Sequence, residues 1–176
     1  MKDMKKVMFS LICLLLVASA GYAQQDKSKR ASPPDSVIIQ TNSGLDLRID
    51  YSKPSLKGRQ LGVDLAPIGK VWRTGANETT VFEIKQDALV EGKPLAAGKY
   101  GLFSIPGEKE TVIIFSKVWD KWGTQYDEKQ DALRITVPNV TQAASTEQFT
   151  IQAQADGKVR LLWGNVAVPF TVVAAP

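Results

Sequence analysis

The sequence predicts an all-β fold, an antiparallel sandwich or barrel-like sandwich of about ten short strands. Three observations predict it. Apolar residues recur with a period of two in short runs, turn-forming residues punctuate those runs at regular intervals, and no segment sustains the 3.6-residue period of an amphipathic helix. Strands at this spacing are the pattern of sandwiches and barrels.

The elements follow in order. The N-terminus, MKDMKKVMFSLICLLLVASAGYAQQ, has lysines at 2, 5 and 6, an apolar run from Val7 to Ala18 and then small residues. It reads as a secretory signal peptide over residues 1–23, with cleavage near Ala23 and export as the consequence, to the periplasm or beyond. Cys13 follows bulky Ile12 and lies inside the apolar run, which argues against lipidation. Residues 24–35, with the Pro33-Pro34 pair, are polar and read as a flexible tether. The globular domain is then expected over residues 36–176, short enough for a single core.

Within it, LDLRIDY alternates Leu45, Leu47, Ile49 and Tyr51 with Asp46, Arg48 and Asp50, the signature of a half-buried strand. The preceding SVIIQTN joins it through Asn42-Ser43-Gly44, a hairpin loop. TTVFEIK, ALVEG, KYGLFSI, TVIIFSK, LRITV, QFTIQAQ, VRLLW and VAVPFTVV continue the series. Gly92, Gly98, Pro106-Gly107, Pro138-Asn139, Asp156-Gly157 and Gly164-Asn165 are read as the turns between them.

Composition excludes several chemistries. The chain has no histidine, and its single cysteine lies in the leader. A mature protein without either has no Ser-His-Asp triad, no Cys-His pair, no zinc site of the usual kind and no disulfide. No cofactor and no metal site is expected. The acids around Asp120, Asp127, Glu128 and Asp131 lack calcium-loop spacing. Removing residues 1–23 takes away three lysines and one aspartate and lowers the net charge from +4 to +2, which leaves no nucleic-acid footprint. The mature chain has no segment suited to a transmembrane helix.

Functional candidates concentrate in Tyr51 to Arg73, a long connection with two prolines and three glycines. It carries Lys53, Lys57, Arg59, Lys70 and Arg73 against the single acid Asp64. A loop of this length is functional or merely solvated. It leads into KVWRTGANETT, where a four-residue turn, Thr74 to Asn77, would place Arg73 opposite Glu78 and Val71 opposite Thr80. In that register Arg73 and Glu78 lie at the mouth of the core, Trp72 points away from it, and the pair is either a ligand site or a structural clamp. Further on, Trp119, Trp122 and Tyr126 form either a cap on the sandwich or a sugar platform. Gly98 and Gly101 are read as structural, either bulges or points of close backbone approach.

YSKPSLKGR, GKVWRTGANETT, AGKYGLFSIPG, KWGTQYD and LLWGNVAVPF together resemble a bacterial envelope family catalogued as domain of unknown function 2911. The resemblance spans roughly Ser32 to Val173, and it implies a secreted protein of a kind abundant in Bacteroidota. Carried over by position, its characteristic residues are Tyr51, Pro54, Gly58, Arg59, Trp72, Arg73, Gly75, Asn77 and Glu78. Ile68 stands where relatives are expected to have an aromatic, so no stacking role transfers there.

The leading expectation is a non-enzymatic module that binds a small anionic or carbohydrate ligand at a rim of Arg59, Trp72, Arg73, Asn77 and Glu78. Two alternatives come from other classes. One is a hydrolase with Glu78 and a second carboxylate such as Asp50 or Asp64. The other is an envelope assembly partner anchored by Trp119 and Trp122.

Overall fold

The computed structural model describes residues 26–176. The leader, its cleavage near Ala23, Cys13 and the first residues of the tether lie outside the described part. The described residues fall into two units, 26–30 and 31–176. Of the first, the described residues form a 3₁₀ turn, Lys27–Lys29, capped by the Asp26 side chain, which accepts from the Ser28 N–H.

The second unit is an all-β sandwich of two antiparallel sheets. One has six strands in the order β1-β2-β3-β6-β7-β8: β1 Pro34–Gln40, β2 Asp46–Ser52, β3 Thr80–Ile84, β6 Gly98–Pro106, β7 Glu110–Ser116 and β8 Asp131–Pro138. The other has four in the order β5-β4-β10-β9: β4 Ala88–Val90, β5 Lys93–Leu95, β9 Val140–Ala153 and β10 Lys158–Ala174. The first strand thus begins two residues inside the stretch read as a tether. No helix among the described residues is long and apolar enough to cross a membrane.

Alternation puts the right side chains inside. Leu45, Leu47, Ile49 and Tyr51 are all buried, and Phe82, Ile84, Leu102, Ile113, Phe115, Ile135 and Val137 continue that inner face. Phe149, Ile151, Val159, Leu161, Phe170 and Val172 oppose them from the second sheet. The β1–β2 hairpin turns where expected, with Gln40 opposite Asp46 and Gly44 at φ +82°. Tyr51 ties the two sheets together: its hydroxyl accepts from the buried Ile151 N–H at 3.0 Å and donates to Asp35 Oδ2 at 3.2 Å. Burial pushes the Tyr51 phenol up to about 12, with the nearby Asp35 charge acting in the same direction.

Two expectations about strands need correction. Gly164-Asn165 is not a turn: β10 runs through it as one 17-residue strand, and the register against β9 shifts on both sides of Gly164. A glycine with φ +54° inside a paired strand makes a bulge, which bends β10 without ending it. β9 is also longer than QFTIQAQ, because pairing to β10 extends it back to Val140. The total of ten strands survives because the short β5 replaces the lost one.

β6 is buried along both faces. Its outer face holds Gly101 and Phe103, and the segment after β7 crosses it. A Cβ on Gly101 would sit 2.4 Å from the Val118 carbonyl oxygen, so close backbone approach is the reason for that glycine. Tyr126 packs on Phe103 at 5.0 Å between ring centroids. Tyr126 is therefore the cap, whereas Trp119 and Trp122 are 38% and 48% exposed.

Candidate functional site

The Tyr51–Arg73 connection folds into two parts with different tasks. Its first part covers the edge of β9: Leu56 N–H donates to Glu147 O, and Phe149 N–H donates to Pro54 O. An edge strand with unpaired groups invites association, and this cover satisfies part of it. Its second part, residues 60–69, closes on itself. The Gln60 carbonyl accepts from Asp64 and Leu65, Ile68 N–H reaches Gly62 O, and Gly69 N–H reaches Pro106 O at 2.8 Å. This compact loop lies over one end of the gap between the sheets.

Beneath it is a cavity of about 340 Å³. Leu61, Ala66 and Ile68 of the loop form one wall, and Leu161, Val166 and Val168 of β10 form another. Trp72 and Trp163 line it as a stacked pair, 5.2 Å between centroids and 20° from parallel, and Phe149 meets both edge-on. The polar liners are mostly spoken for. Thr111 donates to Asn139 Oδ1 at 2.7 Å, and the Asn139 amide donates to Gly107 O at 2.9 Å. Ser104 is 1% exposed, and its hydroxyl oxygen accepts from Thr74 at 2.9 Å. A pocket of this size with aromatic walls and a few fixed polar groups has the character of a small-molecule site.

The KVWRTGANETT hairpin is not formed. Trp72 pairs with Ser104 of β6 through two backbone hydrogen bonds, of 2.7 and 2.9 Å, and Glu78 pairs with Trp122. Thr74 and Asn77 have φ of +48° and +61°, and Gly75 has +154°, so the chain makes a wide loop in place of a four-residue turn. Buried hydroxyls hold it: Thr80 Oγ1 donates to Thr74 O at 2.8 Å. The inward face is consequently reversed. Trp72 enters the core and lines the cavity, and Val71 is exposed.

The residues read as one rim fall into three places. Trp72 belongs to the cavity. Arg73 lies across Gly123, whose added Cβ would be 2.6 Å from Arg73 Cδ. Asn77 is beside it, with its carbonyl accepting from Gly123 N–H and its amide donating to Ser32 O at 3.0 Å. Glu78 joins this group through Trp122. Arg59 stands apart and caps its own turn, donating to Leu56 O and Ser55 O at 3.1 and 2.8 Å. No ion pair within 4 Å joins Arg73 to Glu78, and Arg73 makes no hydrogen bond to any described residue.

The other carboxylates considered for chemistry have local partners. Asp50 is held two-pronged by Arg48, and Asp64 accepts from the Gln60 N–H. Asp127 caps a 3₁₀ turn, and Asp131 is clamped by Arg134 and the Tyr126 hydroxyl. Burial pushes the Tyr126 phenol up to about 12, and its bond to Asp131 adds to the rise. No group of three or more acidic or sulfur ligands suited to a metal ion gathers among the described residues.

Sequence reasoning missed most of the cavity. Ser104, Phe149, Trp163 and Val166 are brought together by long-range pairing, and only Trp163 beside Gly164 carried a visible signal. A family model described as protein of unknown function (DUF2911) matches residues 32–172. No curated protein and no solved structure matches the chain.

Proposed function

Since the chain belongs to the family described as protein of unknown function (DUF2911), with the match spanning residues 32–172, we propose a function from its cavity. The protein is a non-enzymatic binding module, exported by its leader, that takes a small ligand with an apolar body between its sheets. One observation carries this reading: the 340 Å³ cavity, open at one mouth and walled by Trp72, Trp163 and Phe149 beneath the 60–69 loop. An apolar cavity of about 150 Å³ already holds a benzene ring, so a bicyclic body fits here. The test is calorimetric titration with naphthylmethanol of the wild type and of Val166→Trp, which fills the space. Saturable binding lost in the variant supports the reading; equal binding by both, or none by the wild type, defeats it.

A second reading keeps the anionic or carbohydrate ligand at Arg73, Asn77 and Glu78, apart from the cavity. It is favoured by half-buried Arg73, whose side chain has no partner among the described residues, and by exposed Trp122 alongside Glu78. Trp72 and Arg73 are consecutive in extended chain and face opposite sides, so a single small ligand does not touch both. Glucuronate titration against Arg73→Ala decides this reading. Retained affinity in the variant rejects it.

A further inference from the structure

The charges around the cavity narrow the ligand class. Among its lining residues Glu108 alone is ionisable. It lies in the β6–β7 turn, is exposed, and has neither an ion pair nor a side-chain hydrogen bond to any described residue. The inner wall offers no cation to receive an anionic group, and burying an unpaired anion there is strongly unfavourable. A charged head must therefore remain at the mouth, where a carboxylate meets it.

We infer that the ligand is a small amphiphile whose apolar body enters the cavity and whose cationic amine head sits at the mouth against Glu108. This rests on the cavity being the binding site. Opposite charges at a solvated mouth attract modestly, enough for about a fivefold preference. Lys70 and Lys109 are the cations nearest in sequence to this mouth; neither lines the cavity.

Three naphthyl probes of matched body test the assignment by calorimetry at low salt: naphthylmethylamine, naphthylmethanol and naphthoate. The amine is expected to bind about fivefold tighter than the alcohol, and the alcohol tighter than the carboxylate. Glu108→Gln lies on an exposed turn and should fold normally; it is expected to bring the amine down to the alcohol's affinity while leaving the alcohol unchanged. If the alcohol and the amine bind equally, or the carboxylate binds best, the assignment to Glu108 is overturned while the cavity reading stands. If no probe binds, the cavity reading itself has failed, and this inference with it.

Discussion

Replacing Tyr51 by phenylalanine removes one oxygen from the joint between the two sheets. In the wild type that oxygen accepts from the Ile151 N–H, on a residue only 2% exposed, and donates to Asp35. Phenylalanine fills the same ring space and leaves the Ile151 donor buried without a partner, which costs about 1 to 3 kcal/mol. The Asp35 side is worth less. That carboxylate keeps Lys53 at 3.1 Å and the Ser36 N–H at 2.8 Å and stays partly in water, so its loss adds about 0.5 kcal/mol. The total is about 1.5 to 3.5 kcal/mol, a large share of the stability of a domain this size. Urea unfolding should show a lower midpoint at unchanged slope, and melting should fall by about 5 to 10 °C. Tyr100→Phe is the control. Its hydroxyl donates to Ala96 O at 2.8 Å on an exposed residue, where water replaces the lost donor, and about 1 kcal/mol or less should be lost. A Tyr51→Phe loss no larger than that of Tyr100→Phe would refute the buried-donor argument.

Other outcomes follow from the same geometry. Tyr51 and Tyr126 are pushed from 10.0 to about 12, so the folded state holds their protons more tightly than the unfolded chain. That stability is complete below pH 10.0 and is lost as pH rises toward 12; phenolate absorbance of the folded protein should show both rings titrating near pH 12, well above an unfolded control. Gly101→Ala drives a methyl to 2.4 Å from the Val118 carbonyl and 2.9 Å from Thr79 Cγ2, and should lose about 3 kcal/mol in urea unfolding; an unchanged midpoint would mean the crossing segment is not packed there. A double-mutant cycle of Arg73→Ala and Glu78→Ala should give a coupling below about 1 kcal/mol, because no ion pair joins them, whereas about 3 kcal/mol would restore the clamp.

Much of the fold was legible because its signals are local. The alternation in LDLRIDY needs only the two-residue period of a strand, and Asn42-Ser43-Gly44 needs only turn chemistry. The parts that misled are those decided by distant partners. Trp72 faces inward because its backbone pairs with Ser104, thirty-odd positions away, and nothing within KVWRTGANETT announces that bond. Gly164 is a bulge because β9 continues alongside it; in isolation the same Gly-Asn pair marks a turn. The cavity shares this origin, since its walls come from the 60–69 loop, the β6–β7 turn and β10. The sequence reads Arg73 and Glu78 as partners across one hairpin, whereas in the structure Arg73 and Asn77 lie against Gly123 and Glu78 pairs with Trp122.

The most direct test of the account is a methyl-resolved NMR titration of the isotopically labelled protein with naphthylmethanol, the neutral probe that depends on the cavity and on no charge. The account predicts saturable shifts confined to Leu61, Ala66, Ile68, Thr111, Leu161, Val166 and Val168, the methyl-bearing residues that line the cavity. Shifts that leave these methyls untouched, or that gather at Thr79 and Val118 beside the Trp119–Trp122 segment, would contradict it.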